Sequence, residues 1–509
     1  MKSPQDNGIT AQQYLASSSS KNSKENSMAT TDASAYNNGT YSFEQQIFSL
    51  SWSTILSFGF KGEASEIASQ TKELLVNVLE DKEIQKLIGI WNLVWGPGVY
   101  AGSLLSAIVP DKSLNSMFIV VPESDPEQAV VAIAGTNGSS LMDWIIEDFN
   151  VKETVPWPYG PSQTEAQISK GTYFGLDKLV NLESVDPTSN TSITAQQYLS
   201  TRPFKNIMVT GHSLGGALSP CYSLYLDETR SQWDLSESTI ISCLPTAGPT
   251  PGDRNFSKYY DSKLSKTTHR QWNLMDIVPH AFNTELLAQV PDLYEPDLSA
   301  SVDIKLLVRQ IQRDTKSLNY LNVAPQAEDF PSQYYQPDVL IKHTKSKVAE
   351  DIWEFIQMLN ASEKTLEQDG VPTLDIGSTL KFLIQALIQH TIGYIAHFNI
   401  DDFSKRLTPA SKQSSVLVSK PEDGSGRLRK LLELLTKRPI LLDLVQPTRQ
   451  KLDELQAGEG PLWDAILTKV DQINQDKPNQ GAQPVIFLVE DQTKPPSSDH
   501  CWSGGSSGR

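Results

Sequence analysis

A serine becomes a useful nucleophile when a turn exposes it, a base takes its proton and donors meet the charge that develops on the attacked carbonyl. Gly211-His212-Ser213-Leu214-Gly215 has the form G-x-S-x-G. It follows the apolar run NIMVT (206–210) and precedes GALSPCYSLYL (216–226). Strand, tight turn and helix form the setting in which this pattern holds its serine in a strained backbone conformation. Glycines two before and two after let the helix pass close to the strand. The serine Oγ then stands at a helix N-terminus, whose dipole favours an oxyanion. The backbone N–H of Leu214, next after the serine, is one expected oxyanion donor. Pro220 lacks an N–H for the carbonyl of Gly216, so a local bend is expected in the helix.

Several elements must hold this turn. MFIVV (117–121), AVVAIA (129–134), NIMVT (206–210), TIISCL (239–244) and the shorter QWNL (271–274) read as strands, rich in Val and Ile. Helical patterns fall between them, as at 162–181 and 214–228. Alternation of this kind predicts an α/β chain with a mostly parallel central sheet and helices on both faces. Such sheets carry their reactive groups at the carboxyl ends of the strands. Asp276, just after QWNL, lies in such a place. Residues 87–110 carry no charge, yet Gly96-Pro97-Gly98 interrupts them. They predict a buried helix, a turn and a second apolar element instead of a membrane span.

With these blocks in hand, the sequence resembles the class 3 lipase family, over about residues 85–400. VVAIAGTNGSSLMDWIIEDFNV (130–151) is similar to the family's oxyanion-and-lid block and KGTYFGLDKLV (170–180) to the segment before the elbow helix. GHSLGGALS (211–219) matches the elbow, and TAGPTPGDRNFSKYY (246–260) matches the block after the next strand. WNLMDIVPHAF (272–282) is similar to the acid-bearing block, and QHTIGYIAHF (389–398) to the last, histidine-bearing block. The resemblance implies an α/β-hydrolase fold and the chain order serine, acid, histidine. Ser213 is then the nucleophile and Asp276 the acid that orients the base. His280, His343, His390, His397 and His500 follow the acid. His390 has an aromatic, Tyr394, shortly after it and is the expected base, with His397 next. Thr136, after Gly135, is the expected second oxyanion group. Ser139–Ile146 resembles a lid helix with Trp144 as its lid tryptophan. The implied activity is hydrolysis of carboxylic esters of acyl lipids through an acyl-enzyme, with no metal or organic cofactor. Phospholipase A1 or feruloyl-type esterase activity is an alternative, as is a lipase-like scaffold or lipid sensor without catalysis. The Asp276–His390 interval is long for the family, and a helical insertion at about 283–375 accounts for it.

The remaining composition narrows the partners. Lys and Arg number 43 against 60 Asp and Glu, a net charge of −17 that argues against a nucleic-acid binder. Residues 401–509 hold 15 basic and 15 acidic side chains, so the whole deficit lies on residues 1–400. A lipid surface would then be met by apolar side chains more than by charge. Three cysteines give no disulfide framework. Residues 1–41 read as a polar, disordered tail with no secretory signal, which makes the cytoplasm the default location. Residues 42–400 read as the hydrolase domain and 401–509 as a C-terminal extension, with a Leu-striped basic helix at 427–436 and a late strand at 484–489. The string ITAQQYL occurs at Ile9–Leu15 and at Ile193–Leu199, and reads as a shared helix start. The expected partner is a small lipid ester, with transient contact to a lipid interface and no stable protein partner.

Overall fold

The computed structural model describes residues 38–57, 60, 62–101, 113–135, 151–185, 191–324, 328–335 and 376–410. All lie in the larger of two units, residues 1–363 with 374–420. The C-terminal extension from residue 411, including 427–436 and 484–489, lies outside the described residues. So do Thr136, Trp144, His343 and the first ITAQQYL.

Among the described residues, seven strands form the central sheet: β1 (Trp91–Ala101), β2 (Ser113–Pro122), β3 (Gln128–Ile133), β4 (Asn206–His212), β5 (Ile240–Thr246), β6 (Gln271–Asn273) and β7 (Glu328–Phe330). They lie side by side in that order. The first two pairings are antiparallel and the next four parallel. Side chains alternate across the sheet. Met117, Ile119, Val131 and Val209 pack into one apolar cluster, and Phe118, Val120, Val130 and Met208 into the other.

Helices cover both faces. On the first lie Lys170–Val180, Arg254–Leu264 and α2 (Leu214–Glu228); on the second lies α1 (Phe43–Trp52), with Ala64–Glu80. Ser42 caps α1, with Gln45 returning the bond in a capping box. Further along come the short α3 (Ile277–His280), then α4 (Ile376–His390) and α5 (Ile392–His397). Helix α2 runs on through Pro220. Ala195–Leu199, within the second ITAQQYL, is a short helix with a Thr194–Gln197 capping box, as a helix start requires. None of the described helices is long and apolar enough to cross a membrane.

Three expectations change. Residues 91–101 form a strand, where a turn and a second element were expected. Between Trp95↔Ile119 and Gly98↔Met117, β1 uses one residue more than β2, and this bulge takes up Gly96-Pro97. A bulge is where a strand tolerates a residue with no N–H to give. The segment 283–375, expected to be a helical insertion, holds the helix Val302–Thr315 but also β7, which pairs in parallel with β6. Three residues in a polar context carry too weak an alternation to be read as a strand. Order also begins before residue 42, because the Thr40 and Tyr41 N–H groups bond the carbonyls of Lys86 and Leu87, both at 2.9 Å.

Candidate active site

The turn between β4 and α2 puts Ser213 at φ 62° and ψ −125°, in the N-cap position. A non-glycine residue rarely adopts positive φ, and here the surroundings enforce it. The Ser213 N–H bonds the Thr246 carbonyl at the end of β5 (3.0 Å), and the Ser213 carbonyl accepts from Gly216 (2.8 Å). Strand and helix pass so closely that a Cβ on Gly211 would lie 2.3 Å from the Gly215 carbonyl oxygen. From the side, β3 ends against the same turn. A Cβ on Gly135 would sit 2.5 Å from the His212 carbonyl oxygen and 3.0 Å from Ser213 Cβ. The Leu214 N–H opens α2 and has no intrahelical acceptor, as at any helix start.

Asp276 follows β6 and caps α3, accepting the Val278 N–H at 3.0 Å on Oδ1. Its other oxygen, Oδ2, accepts from His390 Nδ1 at 2.7 Å and from the Tyr394 hydroxyl at 3.0 Å. The carboxylate is fully buried, and these three donors replace water around it. Burial, with Asp276 beside it, pushes the Tyr394 phenol well above its ordinary pKa, so it stays a donor. Because Nδ1–H donates to Asp276, the neutral His390 ring carries its lone pair on Nε2. That Nε2 and Ser213 Oγ are both buried and have no hydrogen-bond partner among the described residues. The His390 ring lies 4.9 Å, centroid to centroid, from that of His212, the residue before Ser213.

The structure thus brings Asp276 and His390 together beside the elbow. It does not bring His397 there. Thr391 (φ −120°, ψ −73°) breaks the helix between the two histidines, so their spacing of seven does not give one helical face. His397 instead stacks on Phe330 at 3.6 Å and bonds Gln271 Oε1 at 3.3 Å. His280 is buried with Nδ1 donating to the Asp276 carbonyl at 2.7 Å. Burial pulls its pKa down to about 4. Among the described residues, no three His, Cys, Asp or Glu side chains stand together as metal ligands.

Residues 130–286 match the model of the Lipase (class 3) family. That segment is similar to the class 3 lipases. Over the longer range, the solved structure of M37 lipase is 26% identical, with a TM-score of 0.56, and the alignment covers 73% of this chain and 98% of that one. Lipase II from Rhizopus niveus is 20% identical over 44% of this chain and 74% of its own, with a TM-score of 0.31. A Rhizomucor miehei lipase in complex with its propeptide is 19% identical over 55% and 76%, with a TM-score of 0.32. Comparison with curated protein sequences gives no match. The family match and the fold make the chain an α/β-hydrolase and a carboxylic ester hydrolase.

Several residues of this site carry no clear mark in the sequence. Tyr394 was noticed only as an aromatic after a histidine, whereas its hydroxyl shares an Asp276 oxygen with His390 and accepts the Asn273 N–H at 3.0 Å. Asn273 in turn donates to the Gln389 carbonyl and to Gln389 Oε1. The signal was present, since a polar residue inside a buried strand needs a partner. The apolar wall behind the site was not legible at all. Phe48 and Trp52 of α1 press on the His212 ring at 5.8 and 5.3 Å.

Proposed function

We propose that this protein hydrolyses acyl-lipid esters of the triacylglycerol type through a Ser213–His390–Asp276 triad. One observation supports it above the rest: the 2.7 Å bond from His390 Nδ1 to Asp276 leaves Nε2 without a partner beside a strained serine turn. In this reading Ser213 Oγ attacks the ester carbonyl while His390 Nε2 takes its proton. Asp276 holds the tautomer and steadies the imidazolium. The carbonyl oxygen, now negative, is met by the Leu214 N–H and by Thr136. His390 gives its proton to the departing alcohol, leaving an acyl-serine. Water then attacks, again losing its proton to His390 Nε2, and the free acid leaves as the proton returns to Ser213. Ser139–Ile146, outside the described residues, is taken from the sequence as the lid, with Trp144 as its lid tryptophan. Every step is proton transfer and acyl transfer, for which these side chains suffice.

The test is labelling by a fluorophosphonate, with a panel of triacylglycerol, monoacylglycerol, phospholipid and long-chain p-nitrophenyl esters. Wild type should label and Ser213→Ala should not, and triacylglycerols should be cleaved. Labelling that survives Ser213→Ala defeats the nucleophile assignment. Near-normal turnover by His390→Ala defeats the base assignment.

A further inference from the structure

We propose that His212 is a positioning residue that ties the main chain of the base to the nucleophile's turn. The inference rests on His390 being the base.

His212 is the last residue of β4 and its ring is buried. Nε2 lies 2.9 Å from the carbonyl oxygen of His390, 178 positions along the chain. A carbonyl only accepts, so the proton sits on Nε2. Nδ1 then accepts from the Thr246 hydroxyl at 3.0 Å, on β5. One side chain thus joins two adjacent strands to the end of helix α4. Burial, reinforced by the neighbouring His390, holds the His212 pKa well below its ordinary value.

The His390 carbonyl needs such a partner. It ends α4, where carbonyls lose their intrahelical donors. The chain breaks at Thr391, and the next helical turn closes on the Thr391 carbonyl, from the Ile395 N–H at 3.1 Å. His212 supplies the donor from outside the helix. Trp52 and Tyr394 meet the His212 ring edge to face at 5.3 and 4.9 Å, so it has little room to turn. Nucleophile and base therefore share a short rigid link: Ser213 is bonded covalently to His212, and His212 grips His390. Proton transfer between them depends on that distance, and a displacement of about 1 Å can cost on the order of 100-fold in rate.

Two substitutions separate the two bonds of the ring. In His212→Gln the amide reaches the place of Nε2 and can still donate to the His390 carbonyl. In His212→Asn the amide reaches only the place of Nδ1 and keeps the Thr246 side alone. We expect His212→Asn to lose on the order of 10- to 100-fold in kcat with KM within about twofold. His212→Gln should keep kcat within about threefold of wild type. Equal kcat for the two variants, or a change carried by KM, overturns the inference. If His212→Asn fails to fold, His212→Gln carries the test alone, and a tenfold loss of kcat in a folded protein overturns it. His390→Ala is measured alongside: if it stays active the base assignment has failed, and if it is inactive while His212→Asn is normal only the positioning role has failed.

Discussion

Lowering the pH should unfold this protein in part through a histidine that has no place in the proposed reaction. His280 is 1% exposed, donates from Nδ1 to the Asp276 carbonyl, and meets Trp272 edge to face at 5.3 Å. Burial brings its pKa from 6.5 to about 4. Between these values the unfolded chain binds a proton that the folded chain refuses, so stability rises with pH there. The contribution is fully present above pH 6.5 and is lost as pH falls towards 4. At about 1.4 kcal/mol per pH unit, the whole interval is worth about 3 kcal/mol, of which about 2 kcal/mol is gone by pH 5. His212 works in the same direction, so wild type alone does not isolate the effect. His280→Asn does. Its amide can still donate to the Asp276 carbonyl but cannot take up a proton in this range. Urea unfolding of both proteins at pH 7, 6 and 5 gives the comparison. The lost ring contact with Trp272 offsets the variant equally at each pH. The wild type should therefore lose about 2 kcal/mol more than the variant between pH 7 and 5. Parallel losses, within about 0.5 kcal/mol, would refute the reasoning.

Other expectations follow from the same geometry. Asp276→Asn presents a donor where His390 Nδ1–H needs an acceptor, and kcat should fall about 10⁴-fold with the fold intact by circular dichroism. Gly211→Ala puts a methyl 2.3 Å from the Gly215 carbonyl, where backbone must move; a stability loss of about 3 kcal/mol or more should appear in urea unfolding. His397→Ala removes the stack on Phe330, so stability should drop by about 1 kcal/mol while kcat on a p-nitrophenyl ester stays within about twofold. A loss of turnover beyond tenfold there would make His397, not His390, the residue to reconsider.

The parts of this fold legible in the sequence are those where burial on both faces forces a continuous apolar run. MFIVV, AVVAIA and NIMVT are such runs; β3 and β4 follow them with only small changes at the ends, and β2 starts four residues before its run. The elbow was legible because its glycines and serine answer a single steric demand. Asp276 was legible from its place after a strand and before a proline-bearing loop. What could not be read was whatever depends on distant partners. Nothing local in GPG says that β2 will pair alongside it and that a bulge will take up the proline. EDF carries no alternation, and only the edge offered by β6 makes it a strand. His390 and His397 look equivalent until Thr391 breaks the helix between them. Tyr394 and His212 acquire their roles only when Asp276 and the His390 carbonyl arrive from elsewhere in the chain.

The contact between α1 and the far end of the domain also bears on when the enzyme becomes active during synthesis. Gln45 Nε2 donates to the Phe398 carbonyl at 2.8 Å, across 353 positions, and Phe48 stacks on Phe398 at 4.1 Å. At about 5–20 residues per second, a ribosome needs on the order of 20–70 s to pass from one partner to the other. Throughout that interval the apolar side of α1 that will press on His212 has no C-terminal partner. The nascent chain can complete its elbow early, but His390 and the contacts of α1 with Phe398 close last. The His390 side of the site is thus the last part of it to be made, long after α1.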